Sequence, residues 1–264
     1  MILFTGSGAI AECFKNFFPC KIISARALND DDLTSHILSV DVIIHNAALI
    51  NAESFKDYIE ANFILTKRIL DLVYKIKPSI KFINLSSMSI LSNNDEYMKA
   101  DRMSDYAFSK FLSEKYCLKH ELNKITNVRF STIFYGNENR DGISKLIFAS
   151  LKKNEITIYN GGSALRDIIP INILCKYLYK ISKLEYFEKK INIVSGKPTS
   201  FRAIVDVLKN KQENLIINDI EINTTSSVLA NFSKKDVIKI GEIDFNIEDE
   251  VLIFYNKLNE NTNI

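Results

Sequence analysis

Tyr106 and Lys110 stand four residues apart in Tyr106-Ala107-Phe108-Ser109-Lys110. On a helix, positions i and i+4 share a face, which sets the ammonium beside the phenol. A neighbouring cation favours phenolate and draws a tyrosine pKa down from about 10. A phenol tuned in this way can give or take the proton of a carbonyl–alcohol redox step. The same spacing occurs at Tyr179–Lys183 and Tyr186–Lys190, as a lysine-rich chain produces it, and both are expected to be solvated helix faces. Tyr106 differs from them in what precedes it. Asn84-Leu85-Ser86-Ser87 is an apolar strand ending in a serine pair, with Ser87 19 residues before Tyr106. The Ser87 hydroxyl can hold a substrate oxygen, although serine pairs also serve turns and caps.

Two of the eight glycines fall in the first eight residues. Gly6-Ser7-Gly8-Ala9-Ile10-Ala11 follows the run Ile2-Leu3-Phe4-Thr5 and fits G-x-G-x-x-A between a strand and a helix. In such a loop Gly6 makes the tight turn, Gly8 lets the backbone approach a pyrophosphate, and Ala11 permits close helix–strand packing. The helix start offers its free N–H groups to the anion. An ordinary tight turn is the competing reading, and its position on the first strand of an alternating pattern weighs against it. The residue after the second strand selects the dinucleotide. An acid there holds a ribose 2′-hydroxyl, but Ile23-Ser24-Ala25-Arg26 contains none. Arg26 can meet a 2′-phosphate with two N–H groups. NADP is therefore expected ahead of NAD, the competing role for Arg26 being a solvated surface arginine. Asp30 to Asp32 are expected to cap a short helix.

These residues need elements to carry them. Short β-branched runs at Ile2–Thr5, Lys21–Ser24, Asp41–His45, Ile80–Leu85 and Ile125–Ile133 read as strands. Ala9–Phe18 and Ser104–Asn123 read as helices. Phe55, Ile59, Phe63, Leu65, Ile69, Leu72 and Val73 recur near 3.6 spacing and predict one long helix over Ser54–Lys75. Strands without strict alternation, each followed by a helix, indicate an α/β fold: a doubly wound parallel sheet covered on both faces. Beyond Gly136 the pattern is less regular, with turns at Asn160-Gly161-Gly162 and Ser195-Gly196-Lys197-Pro198. This predicts a small irregular C-terminal lobe closed by a helix over Ile247–Leu258, with a frayed tail over Asn259–Ile264. The expected division is a dinucleotide-binding domain over 1–135, joined again by 165–195, and a substrate lobe over 136–164 and 196–264.

Composition removes other classes. At 264 residues, 47% hydrophobic and 25% charged, the chain fills a core and does not read as disordered. Thirty-four basic against 32 acidic residues leave +2, not the basic excess that nucleic-acid binding uses. Cys13, Cys20, Cys117 and Cys175 form no C-x-x-C pair and only three histidines exist, so no metal site is expected. Free cysteines suit a reducing cytoplasm. Met1 leads into Ile2-Leu3-Phe4 with neither a targeting pattern nor a run of membrane-spanning length, so no membrane association is expected. There is no G-x-S-x-G and histidines are too few for a hydrolase triad.

The motifs together carry a resemblance. Thr5 to Ala11, His45-Asn46-Ala47-Ala48, Asn62, Leu85-Ser86-Ser87 and Tyr106 to Lys110 lie in the order seen in extended short-chain dehydrogenase/reductases. The chain resembles the NAD-dependent epimerase/dehydratase branch acting on nucleotide sugars. Val128-Arg129 to Phe134-Tyr135-Gly136, Arg166 to Ile171 and Asn192 to Gly196 are similar to later motifs of that family, so the likeness spans about residues 1 to 200. It implies a Rossmann-type fold with Tyr106 as acid/base and Lys110 on the nicotinamide ribose. It implies Ser87 and Met88 beside the sugar, Asn46-Ala47-Ala48 lining the cofactor, Asn62 bracing that region and Arg166 on the nucleotide diphosphate. It further implies a homodimer through the two long helices. Departures narrow the reaction. The glycine loop is one residue short of the family form. Met88 and Ser89 replace the Asp-Glu pair of 4,6-dehydratases, and no Cys or His stands where 3,5-epimerising reductases need one. Ile173 replaces an acid after the Arg166 segment. What remains is 4-keto reduction or 4-epimerisation of a nucleotide sugar, with Arg26 favouring an NADPH-dependent reductase over an epimerase that retains NAD. A non-catalytic NADP-binding protein on the same fold is a third reading, opposed by the intact Ser87, Tyr106 and Lys110.

Overall fold

The computed structural model describes residues 1–92, 96–137, 140–223 and 233–262. In chain order its elements begin with β1 (Ile2–Phe4), α1 (Ala9–Lys15), β2 (Lys21–Ile22), α2 (Asp30–Leu38) and β3 (Val42–His45). There follow α3 (Phe55–Tyr58), a π-helical segment (Ile59–Ile64), α4 (Leu65–Ile76), β4 (Lys81–Leu85), α5 (Asp105–Lys119) and β5 (Ile125–Phe130). Next come β6 (Thr132–Phe134), α6 (Gly142–Lys153), β7 (Glu155–Tyr159), β8 (Leu165–Arg166), β9 (Ile168–Pro170), α7 (Ile171–Lys183) and β10 (Lys190–Ile193). The last are β11 (Thr199–Ser200), α8 (Phe201–Lys211), β12 (Ile216–Ile220), α9 (Lys235–Lys239) and α10 (Ile247–Thr262).

Two compact units result. The first holds Met1–Phe130 and Leu174–Ile193, the second Ser131–Ile173 and Val194–Ile264. The first contains a six-stranded, wholly parallel sheet in the order β10-β5-β4-β3-β1-β2. Leu3, Ile43, Phe82 and Ile125 pack one face against Leu33 and Ile37 of α2 and Ile69, Leu70 and Val73 of α4. On the other face Phe14 of α1 meets Phe4 at 4.9 Å and Tyr179 of α7 at 6.4 Å. Burying each such side chain contributes about 1.5–3 kcal/mol. Strands buried on both faces need no alternation, which is why their sequences are plain β-branched runs.

Several expectations change in detail. The strand predicted over Ile125–Ile133 breaks at Ser131. β5 stays in the main sheet, whereas β6 pairs with β9, with Thr132 N–H donating to the Asp167 carbonyl at 3.1 Å. Residues 131–135, 165–173 and 194–195 fall in the second unit. That unit is not irregular. Its core joins Ile143 and Ile147 of α6, Ile156 and Ile158 of β7, Ile204 and Leu208 of α8, and Val251 of α10. α10 continues past Leu258 through Thr262, and residues 263–264 of the predicted tail lie outside the described residues. α2 is capped by Asn29, whose side chain accepts from Asp32 N–H, while Asp30 to Asp32 occupy the first turn where acids favour the helix dipole. Tyr179 stacks on Phe18 at 4.0 Å with Lys183 over its ring, and Lys190 lies on β10, so neither later Tyr–Lys pair is a free helix face. Lys81, buried at the start of β4, donates to the carbonyls of Ile181, Ser182 and Leu184 and so caps the C-terminus of α7.

Candidate active site

In a sheet ordered this way the chain leaves β1 toward β2 on one side and β3 on the other. Ligands of open parallel sheets bind beyond the carboxyl ends of the strands at that switch point. Gly6 and Asn46 sit there, each two residues or fewer past the end of its strand. Gly6 N–H donates to Asn46 Oδ1 at 2.8 Å, and Asn46 Nδ2 donates back to the Gly6 carbonyl at 2.9 Å. A Cβ on Gly6 would stand 2.9 Å from the Ala47 Cα. Gly6 is thus required by close approach of two backbones rather than by a left-handed turn. Asn46 spends its side-chain amide on this clamp. Ala47 and Ala48 continue the loop, half-buried.

Gly8 is the opposite case. A Cβ there would meet nothing within 4 Å, and it caps α1 with no side-chain hydrogen bond. Open space before an uncapped helix start, next to exposed Ser7, fits a pyrophosphate. Ala9 and Ile10 begin the helix half-buried, and Ala11 is fully buried under it. The pair gives a contrast that can be measured. Gly8→Ala is expected to leave stability within about 0.5 kcal/mol and to weaken dinucleotide binding. Gly6→Ala is expected to cost about 1–3 kcal/mol of stability through overpacking. Thermal denaturation and dinucleotide titration of both variants check this. Arg26 lies in a short 3₁₀ turn directly after β2, exposed, with no hydrogen bond or ion pair among the described residues.

Tyr106 and Lys110 lie on α5, which Ser104 caps by accepting from Ala107 N–H. Tyr106 is half-buried with its ring 6.4 Å from that of Tyr58, and Lys110 is 3% exposed. Burial draws the Lys110 pKa down to about 8, with Glu114 among the groups holding it up. Asn62 sits in the π-helical segment, fully buried. It accepts from Leu49 N–H at 2.7 Å and donates to the Leu49 carbonyl at 3.0 Å and to Ser109 Oγ at 2.9 Å. Ser109 in turn donates to the Tyr106 carbonyl at 2.7 Å. Asn62 therefore ties the loop after Ala48 to the first turn of α5.

Ser87 follows β4 and caps the 3₁₀ turn Met88–Ile90, which packs on α5. Its Oγ accepts from Ser89 N–H at 3.1 Å and lies 2.8 Å from Ser89 Oγ. The capping role is thus present. With Ser89 donating both bonds, the Ser87 proton remains for a substrate oxygen. Met88 is buried and brings no carboxylate.

Sequence reasoning missed Glu114, fully buried and one turn beyond Lys110. It takes Ser86 Oγ at 2.6 Å, Tyr97 OH at 2.7 Å and the Arg129 guanidinium at 2.5 Å. The signal available was its spacing, since Tyr106, Lys110 and Glu114 recur every four residues on one helix face. Sequence reasoning also missed Asp167, whose buried carboxylate accepts from Ser195 N–H, Ser195 Oγ and Gly196 N–H.

Arg166 belongs to the second unit, on β8, with Nη1 donating to the Leu165 carbonyl. It lines a cavity of about 360 Å³ with Lys145, Tyr159, Gly162 and Phe201. Gly162 has φ +68°, and a Cβ there would strike Arg202 N at 2.8 Å, so only glycine shapes that wall. Among the described residues, no group of three or more His, Cys, Asp or Glu could hold a metal ion, and no helix is long and apolar enough to cross a membrane.

A family model described as NAD dependent epimerase/dehydratase matches residues 6–193. The chain belongs to this family. Among its relatives is GDP-6-deoxy-D-talose 4-dehydrogenase of Aggregatibacter actinomycetemcomitans, 20% identical over 198 residues. That alignment covers 72% of this chain and 65% of the relative, so the chain spans about two thirds of that protein's length. Solved structures of other proteins share the fold. One is TunA, described as an NAD dependent NDP-hexosamine 5,6-dehydratase, at TM-score 0.79 and 17% identity, covering 97% of this chain and 96% of that one. Another is the UDP-N-acetylglucosamine 4-epimerase of Methanobrevibacter ruminantium M1, at 0.79 and 20%, with the same coverage. A third is MoeE5 in complex with UDP-glucuronic acid and NAD, at 0.77 and 16%, covering 97% and 98%.

Proposed function

We propose that this member of the epimerase/dehydratase family is an NADPH-dependent reductase of 4-keto nucleotide sugars, including 4-keto-6-deoxy forms. The observation that carries the reading is α5, which carries Tyr106 and the buried cation Lys110 four residues apart on one face and packs against the Ser87 turn. The likeness to a 4-dehydrogenase agrees with redox chemistry at C4 of a hexose. The residues fit a dinucleotide: Gly8 faces open space, the start of α1 is uncapped, and Lys110 is positioned on the face of Tyr106. Gly6 to Ala11, Ala47, Ala48 and Lys110 would hold it, and when bound it supplies the hydride.

The chain supplies the rest. Ser87 donates to the carbonyl oxygen and holds its orientation. Tyr106 delivers its proton to that oxygen as negative charge develops there, and the buried ammonium of Lys110 stabilises the phenolate left behind. No carboxylate stands at Met88 or Ser89 to draw a proton from the sugar ring, which disfavours dehydration. In the second unit, the cavity with Arg166, Lys145 and Phe201 suits a nucleoside diphosphate. Guanidinium and ammonium groups match phosphate, and the aromatic ring matches a base.

The decisive assay is NADPH oxidation followed optically over a set of 4-keto nucleotide sugars. Turnover supports the reading. Purified protein that carries tightly held NAD and interconverts two sugars without added reductant would replace it with 4-epimerisation. The NADP preference rests on Arg26 and the missing acid after β2. Arg26→Ala is expected to weaken NADPH binding about tenfold, or ~1.4 kcal/mol, and to leave NADH binding within about twofold. Tighter binding of NADH than NADPH, unaffected by the substitution, would reverse the preference.

The reading extends to a homodimer. The surface formed by the π-helical segment, α4 and α5 carries exposed Ile64 and Tyr74, and Phe63, Leu112 and Tyr116 line a groove of about 500 Å³. Apolar helix faces of this kind suit a second copy of the chain. Light scattering on the purified protein is expected to give twice the 30.2 kDa chain mass.

A further inference from the structure

His45 ends β3 at 1% exposure, and both of its ring nitrogens are engaged. Nδ1 lies 2.7 Å from Thr5 Oγ1 and Nε2 lies 2.8 Å from Thr66 Oγ1. The proton positions follow from the next bonds. Thr66 Oγ1 donates its only proton to the Asn62 carbonyl at 2.7 Å and accepts from Ser113 Oγ at 3.1 Å. Toward His45 it can therefore only accept, so the ring carries its proton on Nε2. Nδ1 then accepts from the Thr5 hydroxyl. The donors run one way, from Thr5 to His45 to Thr66 to the Asn62 carbonyl.

The two ends of this chain are the two halves of the site. Thr5 immediately precedes Gly6, and its carbonyl holds Ala25 N–H at 3.0 Å, next to Arg26. Asn62 occupies the π-helical segment, and its side chain reaches Ser109, which holds the Tyr106 carbonyl. No other element is needed to connect them.

We infer that His45 is a positioning residue, held as the neutral Nε2–H tautomer, that couples the Gly6–Gly8 loop to the turn of α5 bearing Tyr106 and Lys110. The inference rests on the proposed function for the roles of loop and tyrosine, but the tautomer does not. The surroundings favour a neutral ring. β1, β4 and α4 face it with Thr5, Phe82 and Thr66, and the charge acting on it is Lys110 of α5. Burial, followed by that like charge, draws its pKa down to about 3. Phe82, 5.8 Å away and nearly parallel, packs against the ring and would accept another aromatic there.

Nitrogen-15 NMR of the uncomplexed protein with labelled histidine tests the first part. An Nε2–H signal that persists unchanged from pH 8 to pH 5 is expected. An Nδ1–H tautomer, or titration near the ordinary 6.5, overturns the inference. His45→Phe, which keeps the ring packing and removes both bonds, tests the coupling. Dinucleotide affinity is expected to fall about tenfold, together with kcat of the folded protein. His45→Gln, which can donate and accept along the same line, is expected to restore part of both. Wild-type affinity and kcat within about twofold in His45→Phe would reduce His45 to packing and overturn the coupling. Should His45→Phe fail to fold, Thr66→Val breaks the chain at its next member, removing the bonds to His45, the Asn62 carbonyl and Ser113 together, and the same two readouts decide. Wild-type protein that binds no dinucleotide at all, with the Nε2–H signal present, would defeat the functional reading while leaving the tautomer assignment standing.

Discussion

Tyr106→Phe is expected to bind dinucleotide as the parent chain does and to turn over roughly 10²- to 10⁴-fold more slowly, the usual worth of a positioned proton donor. The substitution removes one oxygen from a half-buried ring. It leaves the ring contact with Tyr58, the Ser104 cap and the bond from Ser109 to the residue's own carbonyl in place. Affinity and fold should therefore survive while the proton has no donor. Titration of NADPH by fluorescence, followed by single-turnover kinetics, checks both halves. Full turnover in this variant would remove Tyr106 from the chemistry. Lys110 adds a pH signature. Its pKa of about 8 keeps it cationic at neutral pH and lets it titrate just above. The reduction rate is expected to decline above about pH 8, as the charge that stabilises the Tyr106 phenolate is lost. Lys110→Met should show a low rate without that inflection.

Glu114→Ala carries the largest expected loss of stability. Its carboxylate is the common acceptor for the end of β4 through Ser86, for Tyr97, and for Arg129 on β5. Removing it leaves the Arg129 guanidinium, 4% exposed, as a buried charge whose remaining side-chain hydrogen bond among the described residues is to the Tyr97 oxygen. Breaking a buried pair in this way costs about 3–5 kcal/mol. Glu114→Gln, which keeps the shape and some acceptor capacity, should lose less. Denaturant unfolding of the three proteins checks the order, and unchanged stability in Glu114→Ala would show that the cluster is not structural.

The same cluster sets a pH dependence at each end of the scale. Burial raises the Glu114 carboxyl, but Arg129, Ser86 and Tyr97 outweigh it and hold the pKa below the ordinary range. A depressed carboxyl pKa contributes stability that is present above the unfolded value of about 4.3 and is lost as pH falls through the folded one. For Tyr97, burial and then Glu114 push the phenol up to about 12. A raised pKa contributes stability that is full below about 10 and disappears between about 10 and 12. Glu114→Gln should flatten both limbs.

The sheet was legible because a strand buried on both faces must be an apolar run, and β1, β3 and β4 are such runs. The turn at Gly6 was legible for a related reason: a place where two backbones approach this closely admits few residue types. α5 was harder. Its buried face is Ser109, Lys110, Ser113 and Glu114, so apolar periodicity there is faint, and only the four-residue spacing marks it. The π-helical segment was invisible, since one extra residue in a turn shifts the apolar pattern too little to break it. Asn62 could be picked out only by resemblance. The clamp between Asn46 and Gly6 was not legible because a loop sequence does not tell which way an amide turns; the reciprocal bonds depend on how closely two strands approach. The break at Ser131 was hidden because β-branched residues stand on both sides of it, Ile125, Thr126 and Val128 before and Thr132 and Ile133 after, while the pairing changes from β4 and β10 to β9.

The outermost strand of the main sheet also bears on how the chain is made. β10 pairs with β5 through Lys190 and Asn127, and Lys81 waits for the carbonyls of Ile181, Ser182 and Leu184. A nascent chain that has reached Phe130 holds five strands, an unsatisfied ammonium at the foot of β4 and an open apolar edge on β5. At about 5–20 residues per second, the closing strand follows several seconds later. During that interval the edge can pair with another nascent chain. Production of this protein should therefore depend on holdase chaperones acting on the ribosome-bound first half, and slowing synthesis between Ser131 and Ile193 should increase aggregation rather than relieve it.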